Sequence, residues 1–174
     1  MNRLKFLAPL MLGLTLVLGA CAPTTGGGGT TTTTTSTVPS TYTEGRCPTS
    51  SGVTVVVDFM PFQDRVVVRC ALGPQASGLA ALGAVELTTD PGPNPGTVCQ
   101  LDGLPVQGFP FCWTTGGYWS YWRAPGAGQS WAFSEFGVGS GPLTQGSVEG
   151  WRFALFGAGP EQPPRVGTSG PIVP

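Results

Sequence analysis

The stretch GGYWSYWRAPG, residues 116–126, places four aromatic side chains within five consecutive positions. Its residue types predict a β-strand, in which successive side chains point to opposite faces of the sheet. One face would present Tyr118, Ser120 and Trp122, and the other Trp119, Tyr121 and Arg123. One of these faces can fill a hydrophobic core. The other is then covered by a second layer of chain or is free to bind a ligand.

Two runs rich in β-branched residues predict a β-hairpin earlier in the chain. Residues 53–59 read VTVVVDF and residues 65–70 read RVVVRC, and valine is a strong strand former. The intervening MPFQD, residues 60–64, is typical of a turn.

A short helix is predicted within GPQASGLAALGAV, residues 73–85, where Pro74 can start a helix. Ser77 can cap its first turn, and Leu79 and Leu82 recur at helical spacing. Gly78 and Gly83 each weaken this helix by about 1 kcal/mol relative to alanine, so it depends on tertiary packing.

Three further segments after the helix have strand character. They are TVCQLDG at 97–103, which ends in an Asp-Gly turn, SWAFSEFG at 130–137 and GSVEGWRFALF at 146–156. Together with residues 118–124 they give the order strand, strand, helix, then three or four strands. This order predicts an α+β fold, with a small mixed or antiparallel sheet and one short helix on one face.

The first twenty-one residues have the features of an export signal. Two basic residues precede an apolar run at 6–18, which is short for a membrane span, and the segment ends in Gly19-Ala20-Cys21. This ending resembles the lipobox of bacterial lipoproteins, which implies cleavage before Cys21 and attachment of lipid to its thiol. An ordinary secretory signal followed by a chance cysteine is the alternative.

Lipid on Cys21 would determine the location of the protein. Two or three acyl chains hold a protein stably on a membrane, whereas one chain does not. We therefore expect a protein of the bacterial cell envelope, anchored on the outer side of the cytoplasmic membrane or in the outer membrane.

Four cysteines remain in the mature chain, and an even number in an exported protein predicts two disulfides. They are Cys47, Cys70, Cys99 and Cys112. Three pairings are open. We favour Cys47–Cys70, which would clamp the hairpin, and Cys99–Cys112, which would close a proline-rich loop and stabilise the fold by about 3 kcal/mol. A four-cysteine zinc site is disfavoured because no Cys-x-x-Cys pair occurs.

The ends of the mature chain differ in composition from its centre. Residues 21–44 are rich in threonine and glycine, and residues 157–174 are rich in proline and glycine. Segments with so few large apolar residues are predicted to be disordered. The folded domain is therefore predicted to span residues 45–156, with residues 1–20 as the signal peptide.

Several motifs occur in an order that resembles a known family. They are SGLAAL on the helix, CQLDGLP, YWSYWRA and GSVEGWRF. This order is similar to the transcobalamin C-terminal-like domain, a small β-grasp-like module of vitamin B12 carriers and bacterial surface proteins. The resemblance also extends to exported bacterial proteins associated with energy-coupling-factor vitamin transporters. It implies a β-grasp-like fold, cobalamin or a related vitamin as the ligand, and a transporter as the partner.

Two departures from the family concern the ligand. Ser147 follows Gly146 where the family usually has Gly-Asp, and the chain has no counterpart of the α-barrel domain that completes the site in the vitamin carriers. A module of this kind would hold a large cofactor on one face.

The composition argues against catalysis. The chain has no histidine, and Lys5 in the signal segment is its single lysine, so His-based nucleophile systems, Schiff-base chemistry and His-based metal sites are excluded. Four carboxylates remain as candidates for a glycosidase pair, namely Asp58, Asp102, Glu135 and Glu149. We expect them to form turns or to pair with Arg69, Arg123 or Arg152. Six arginines against nine acidic residues in the mature chain make nucleic acid an unfavourable partner.

The sequence therefore predicts a non-catalytic binding module, with no cofactor required and no metal site. Its candidate platform consists of Trp119, Tyr121 and Arg123, with Trp113 and Trp131 as neighbours, and an exposed aromatic patch of this kind marks a binding site. A cell-surface module that is structural or adhesive, and binds protein or glycan, is the alternative. A further alternative is that both faces of the aromatic strand are buried, one under the helix and the other under proline- and glycine-rich loops.

Overall fold

A six-stranded sheet forms the centre of the protein in the computed structural model, which describes residues 39–48, 50–91, 96–106 and 115–168 of the 174-residue chain. The strand order is β1-β3-β2-β8-β6-β7. The strands are β1 (Tyr42–Glu44), β2 (Val53–Asp58), β3 (Val66–Ala71), β6 (Gly117–Ala124), β7 (Ala132–Phe133) and β8 (Val148–Leu155). Strands β2 and β8 are parallel, and the other neighbours are antiparallel. The mixed sheet of the predicted α+β fold is thus confirmed.

Two further strands form a small ladder of their own, β4 (Thr89–Pro91) with β5 (Val98–Leu101). Strand β5 ends in the predicted Asp-Gly turn. Asp102 and Gly103 both have positive φ, 51° and 74°, as the two central residues of a tight hairpin turn require.

The predicted helix is confirmed as α1 (Gly78–Ala84), which follows the hairpin of β2 and β3. The side chain of Ser77 accepts a hydrogen bond from the amide of Ala80 at 3.1 Å, so it caps the first turn as predicted. Ala81 and Leu82 are buried against the sheet, which supplies the packing that a glycine-containing helix needs.

Both faces of the sheet are covered, which is the arrangement that the sequence left as an alternative. Helix α1 covers a core that contains Val55, Val57, Phe59, Trp119, Tyr121, Trp151 and Phe153. A smaller cluster on the opposite face contains Val56, Ala124, Val148 and Val166, with Trp131 packed against it. The valine run of β2 is buried at every position because β2 lies in the middle of a sheet that is covered on both sides.

The folded part of the chain extends past both predicted boundaries. Strand β1 lies in the predicted tether and pairs with β3. The predicted tail returns to the sheet, where Val166 is buried and Arg165 donates three side-chain hydrogen bonds to Asp58 at 3.0–3.1 Å. Composition alone predicted disorder here, but buried Pro164 and Val166, the Arg165–Asp58 ion pair and hydrogen bonds to the carbonyls of Pro163 and Val166 hold the segment on the sheet.

The predicted strand at 130–137 is wrong for most of its length, since only Ala132–Phe133 pairs with β6. The amide of Ser134 still donates across to the carbonyl of Tyr121 in β6 at 2.8 Å. Its hydroxyl donates to the carbonyl of Phe136 at 2.9 Å and accepts from the amide of Phe136 at 3.3 Å, so the chain turns at Ser134 and the strand ends.

One of the two predicted disulfides is confirmed. Cys47 and Cys70 are bonded, with their Cα atoms 4.8 Å apart, and they join the start of the domain to β3. Cys99 is buried in β5. Its predicted partner Cys112 lies outside the described residues, so that pairing stays a prediction.

Several other predictions also concern residues that the structure does not describe. They are the signal peptide at 1–20, the lipidated Cys21, the rest of the tether up to residue 38, Trp113, and residues 169–174. The chain divides into two units, residues 1–37 and residues 38–174, and the features above belong to the second. In the ranges described, no helix combines the length and apolar character needed to cross a membrane.

Candidate functional site

The predicted platform is wrong as an exposed surface. Trp119 and Tyr121 share a face with Arg123, as predicted, but they are only 6% and 7% exposed. Trp119 packs edge-on against Phe59 and Phe153, and its indole N–H donates to the carbonyl of Leu104 at 3.1 Å. These side chains belong to the core under α1.

The opposite face of the aromatic strand is also covered for most of its length. Trp122 is 8% exposed, packs edge-on against Phe133, and donates its indole N–H to the hydroxyl of Ser120 at 3.0 Å. Trp131 is half-buried and donates to the carbonyl of Val166 at 3.1 Å, so it belongs to the second core and not to the predicted platform. Tyr118, at the edge, is 36% exposed.

Arg123, unlike Trp119 and Tyr121, has a side chain that is about one-third exposed. It lies opposite Glu149 in the register of β6 and β8, and its Nε donates to Oε2 of Glu149 at 3.2 Å. The Glu149 side chain is fully buried, whereas the Arg123 side chain is 36% exposed. The pair therefore joins the core to the surface.

Two hydroxyl groups hold the Glu149 carboxylate in place. The Tyr121 hydroxyl donates to Oε2 at 2.5 Å, and the Ser147 hydroxyl donates to Oε1 at 2.8 Å. Each carboxylate oxygen thus accepts at least one hydrogen bond, which offsets the cost of burying the charge. We call Tyr121, Arg123, Ser147 and Glu149 the Glu149 cluster.

Burial dominates the electrostatics of this cluster. It raises the pKa of Glu149, although hydrogen bonds from Tyr121 and Ser147 and the charge of Arg123 act in the opposite direction. Burial also raises the pKa of Tyr121, and the Glu149 carboxylate adds to that effect, so the phenol stays a donor throughout the physiological range.

A cavity of about 440 Å³ adjoins this cluster, and we call it the Arg123 cavity. Its lining residues include Arg123 and Glu149 of the sheet, Ser147 beside β8, and Phe133, Glu135 and Phe136 of the segment around β7. The Phe133 ring itself packs on Trp122, on the other face of β6 from Arg123. Phe133 and Phe136 are 43% and 65% exposed. A volume of this size is within the range of small-molecule sites, which combine apolar walls with a few placed polar groups.

A second cavity, of about 270 Å³, lies on the other side of the same turn, and we call it the Trp151 cavity. Both cavities are lined by residues 133–136. Trp151 stacks on Tyr121 with ring centroids 5.0 Å apart. Its indole N–H is buried and has no hydrogen-bond partner in the described part of the chain. Trp151 lines this cavity, so its unpaired donor is a candidate partner for a ligand acceptor or for a water molecule.

Two other cavities border the C-terminal segment. One of about 470 Å³ is lined by Trp131, Arg152 and Arg165, and one of about 180 Å³ is lined by Met60, Arg152 and Glu161. Their arginines already bind Asp58 and the carbonyl of Pro163. These cavities therefore offer a ligand fewer unoccupied polar groups than the Arg123 cavity.

The four candidate carboxylates separate into different environments. Asp58 is buried and paired with Arg165 and Arg152, and Asp102 pairs with Arg65. Glu135 and Glu149 line the same cavity. Within the described ranges, no group of three or more His, Cys, Asp or Glu side chains could hold a metal ion.

Several residues of the site were missed by sequence reasoning. Phe133 and Phe136 gave no motif that singled them out, Trp151 entered only as part of the family motif GSVEGWRF, and Ser147 appeared as a departure from the family. A sequence signal did exist for the two phenylalanines. FSEF, residues 133–136, puts two large apolar side chains beside polar ones in a segment too short to bury them.

No protein-family model, curated protein or solved structure matches this chain.

Proposed function

We propose that this protein is a lipid-tethered binding module of the bacterial cell envelope, which holds a small molecule in the Arg123 cavity and catalyses no reaction. The observation that carries the proposal is the presence of exposed Phe136 and of the Arg123–Glu149 pair in the lining of one cavity of about 440 Å³. Apolar walls supply affinity, and the few polar groups opposite them fix the orientation of a ligand.

The sheet order is relevant to the β-grasp-like fold that the resemblance implies. A hairpin (β2 and β3) is followed by helix α1, and the last strand, β8, lies parallel beside β2 at the centre of the sheet. We infer a β-grasp-like architecture from this arrangement, in agreement with the resemblance to transcobalamin-like domains. Fold likeness alone does not define a ligand, so the ligand is argued from the cavity.

A vitamin-type cofactor delivered to a membrane transporter is the ligand class that the resemblance favours. The Arg123 cavity has room for a compact vitamin, whereas a corrinoid such as cobalamin would contact it with one side only. A tether at residues 21–38 with lipid on Cys21 would keep the loaded module near a transporter.

Equilibrium dialysis of the full chain in detergent, against cobalamin and a panel of smaller vitamins, tests this function. We expect micromolar binding of at least one compound, and we expect Phe136→Ser to weaken it about tenfold because a large apolar contact is lost. Phe156→Ser is the matched control, since Phe156 is 60% exposed and lines none of the cavities described above. Equal loss in both variants, or binding of no compound at millimolar concentration, would reject the proposal.

A structural or adhesive surface module is the second candidate, and one observation favours it. Tyr118 and Phe156 stack with ring centroids 6.0 Å apart beside Leu155, and these side chains are 36%, 60% and 48% exposed. Such a patch is suited to contact with another protein. Vesicle or cell-wall pull-downs that depend on Phe156 and not on Phe136 would favour this candidate.

The presence of Glu135 and Glu149 in one cavity keeps a hydrolase as a testable alternative. The non-catalytic proposal rests on Glu149, whose two oxygens are both occupied by donors from the protein. A glycosidase acid must instead direct its proton to the leaving group. Release of nitrophenol from a panel of nitrophenyl glycosides, lost in Glu149→Gln, would overturn the non-catalytic proposal.

A further inference from the structure

The guanidinium of Arg123 is only partly used within the protein. Its Nε binds Glu149, but neither terminal nitrogen donates a hydrogen bond to any described residue. Each of the other arginines in the described ranges donates from at least one terminal nitrogen, namely Arg46, Arg65, Arg69, Arg152 and Arg165. Among the described arginines, Arg123 is therefore the one whose two terminal guanidinium nitrogens are both unoccupied. We call this pair of nitrogens the fork.

The fork is also oriented by its surroundings. Glu149 is fixed by Tyr121 and Ser147, and it holds the Nε side of Arg123 from the buried end of the cavity. A guanidinium is planar by resonance, so a contact at Nε fixes the plane of the group. Its two terminal nitrogens then remain available to donate hydrogen bonds to a ligand. That geometry matches the two oxygens of a carboxylate or the oxygens of a phosphate.

The net charge of the cavity wall does not itself attract an anion, because Arg123 is opposed by the carboxylates of Glu149 and Glu135. The preference for an anion comes instead from the unoccupied terminal nitrogens of Arg123, which Glu149 holds in place. Glu135 is the exposed one of the two carboxylates. Because its carboxylate can turn towards solvent, its repulsion would be weaker than the attraction of a bidentate Arg123 contact.

From this geometry we propose that the ligand of the Arg123 cavity is a small amphipathic anion, whose carboxylate binds the terminal nitrogens of Arg123 while its apolar part lies against Phe136. This inference rests on the proposed function and narrows it. Among vitamin-type compounds it favours those that carry a carboxylate over neutral ones.

Three probes of similar size and different charge test the proposal: 4-phenylbutyrate, 4-phenylbutyramide and 4-phenylbutylamine. Each is titrated by calorimetry into the full chain in detergent. We expect the carboxylate to bind about tenfold more tightly than the amide, and the amine to bind least. Glu135→Gln should tighten binding of the carboxylate and weaken binding of the amine.

Arg123→Gln should remove the preference for the carboxylate. Arg65→Gln is the matched control because Arg65 has similar exposure, 39% against 36%, and lines none of the cavities described above. If Arg123→Gln does not fold, Arg123→Lys keeps the charge opposite Glu149 and removes only the fork. Arg123→Lys should lose most of the preference for the carboxylate over the amide.

The outcomes separate this inference from the function on which it rests. Equal binding of amide and carboxylate, with loss in Phe136→Ser, would overturn the anion inference and keep the binding module. If the amine bound most tightly, the anion inference would also be overturned, and Glu135 would be the residue that binds the charged end of the ligand. Failure of all three probes to bind at millimolar concentration would overturn both proposals.

Discussion

Arg123 and Glu149 lie directly opposite one another on the antiparallel strands β6 and β8, with Nε of the arginine 3.2 Å from Oε2 of the glutamate. The glutamate is fully buried and the arginine is partly exposed. If one partner of such a pair is removed, the charge of the remaining partner is no longer compensated. This relationship connects the stability of the sheet to the chemistry of the cavity.

Glu149→Gln is expected to flatten the pH dependence of stability. Burial raises the pKa of Glu149 in the folded protein, so the native state holds this proton to higher pH than the unfolded chain does. The stabilisation is complete below the unfolded value of about 4.3 and is lost as the pH rises through the folded pKa. Urea unfolding between pH 4 and 8 measures the effect.

The comparison with wild type matters because the pKa of a second carboxyl group, Glu161, is also shifted. The hydrogen bond from Tyr118 lowers the pKa of Glu161, which gives a contribution of opposite sign in both proteins. The difference between the two curves isolates Glu149. Parallel curves for wild type and Glu149→Gln would show that the glutamate has an ordinary pKa.

Gly78→Ala is expected to destabilise the protein, although alanine favours helices. A Cβ at this position would lie 2.9 Å from the Tyr121 hydroxyl and 3.0 Å from Val138 Cγ2. The contact would push Tyr121 away from Glu149, at a cost of about 1–3 kcal/mol. Thermal or urea unfolding gives the difference in free energy.

Gly83→Ala is the matched control in the same helix. No atom lies within 4 Å of a Cβ there, so the substitution should stabilise the protein by up to about 1 kcal/mol. The same sign of effect at both positions would contradict the packing described for Gly78.

Arg165→Met tests whether the C-terminal segment is part of the folded domain. Asp58 is fully buried and accepts hydrogen bonds from the Arg165 side chain and backbone amide. Loss of the guanidinium should cost about 2–3 kcal/mol, less than for a fully enclosed pair because Arg165 is 22% exposed and Arg152 remains 3.7 Å from Asp58.

Arg65→Met provides the control for that experiment. Arg65 pairs with Asp102 at 3.1 Å, and both side chains are more exposed, so its loss should cost less than about 1 kcal/mol. Urea unfolding of both variants measures the two costs. Equal effects would indicate that residues 162–168 contribute little to the fold.

Loss of the Cys47–Cys70 disulfide should cost about 3 kcal/mol. The bond closes a loop with a sequence separation of 23, which restricts the unfolded chain. The double substitution Cys47→Ser and Cys70→Ser removes only this bond, and denaturant unfolding under oxidising conditions measures the change. A cost below about 1 kcal/mol would show that β1 and β3 hold the start of the domain without it.

Local pattern was sufficient to predict most of the secondary structure. The valine runs predict β2 and β3, Ser77 predicts the start of α1, and Asp-Gly predicts the turn after β5. Strand alternation also assigned Trp119, Tyr121 and Arg123 to one face. These predictions succeed because they depend on neighbours within a few residues.

The sequence alone therefore determined which side chains share a face, and the tertiary structure decided which faces are buried. Burial depends on the segment that packs above a strand, and that segment can come from a distant part of the chain. Val166 covers Val56, and Arg165 reaches Asp58 across a separation of 107 residues. The Arg123 cavity likewise exists only because β6 and β8 align Arg123 with Glu149 while the turn after β7 places Phe136 opposite them.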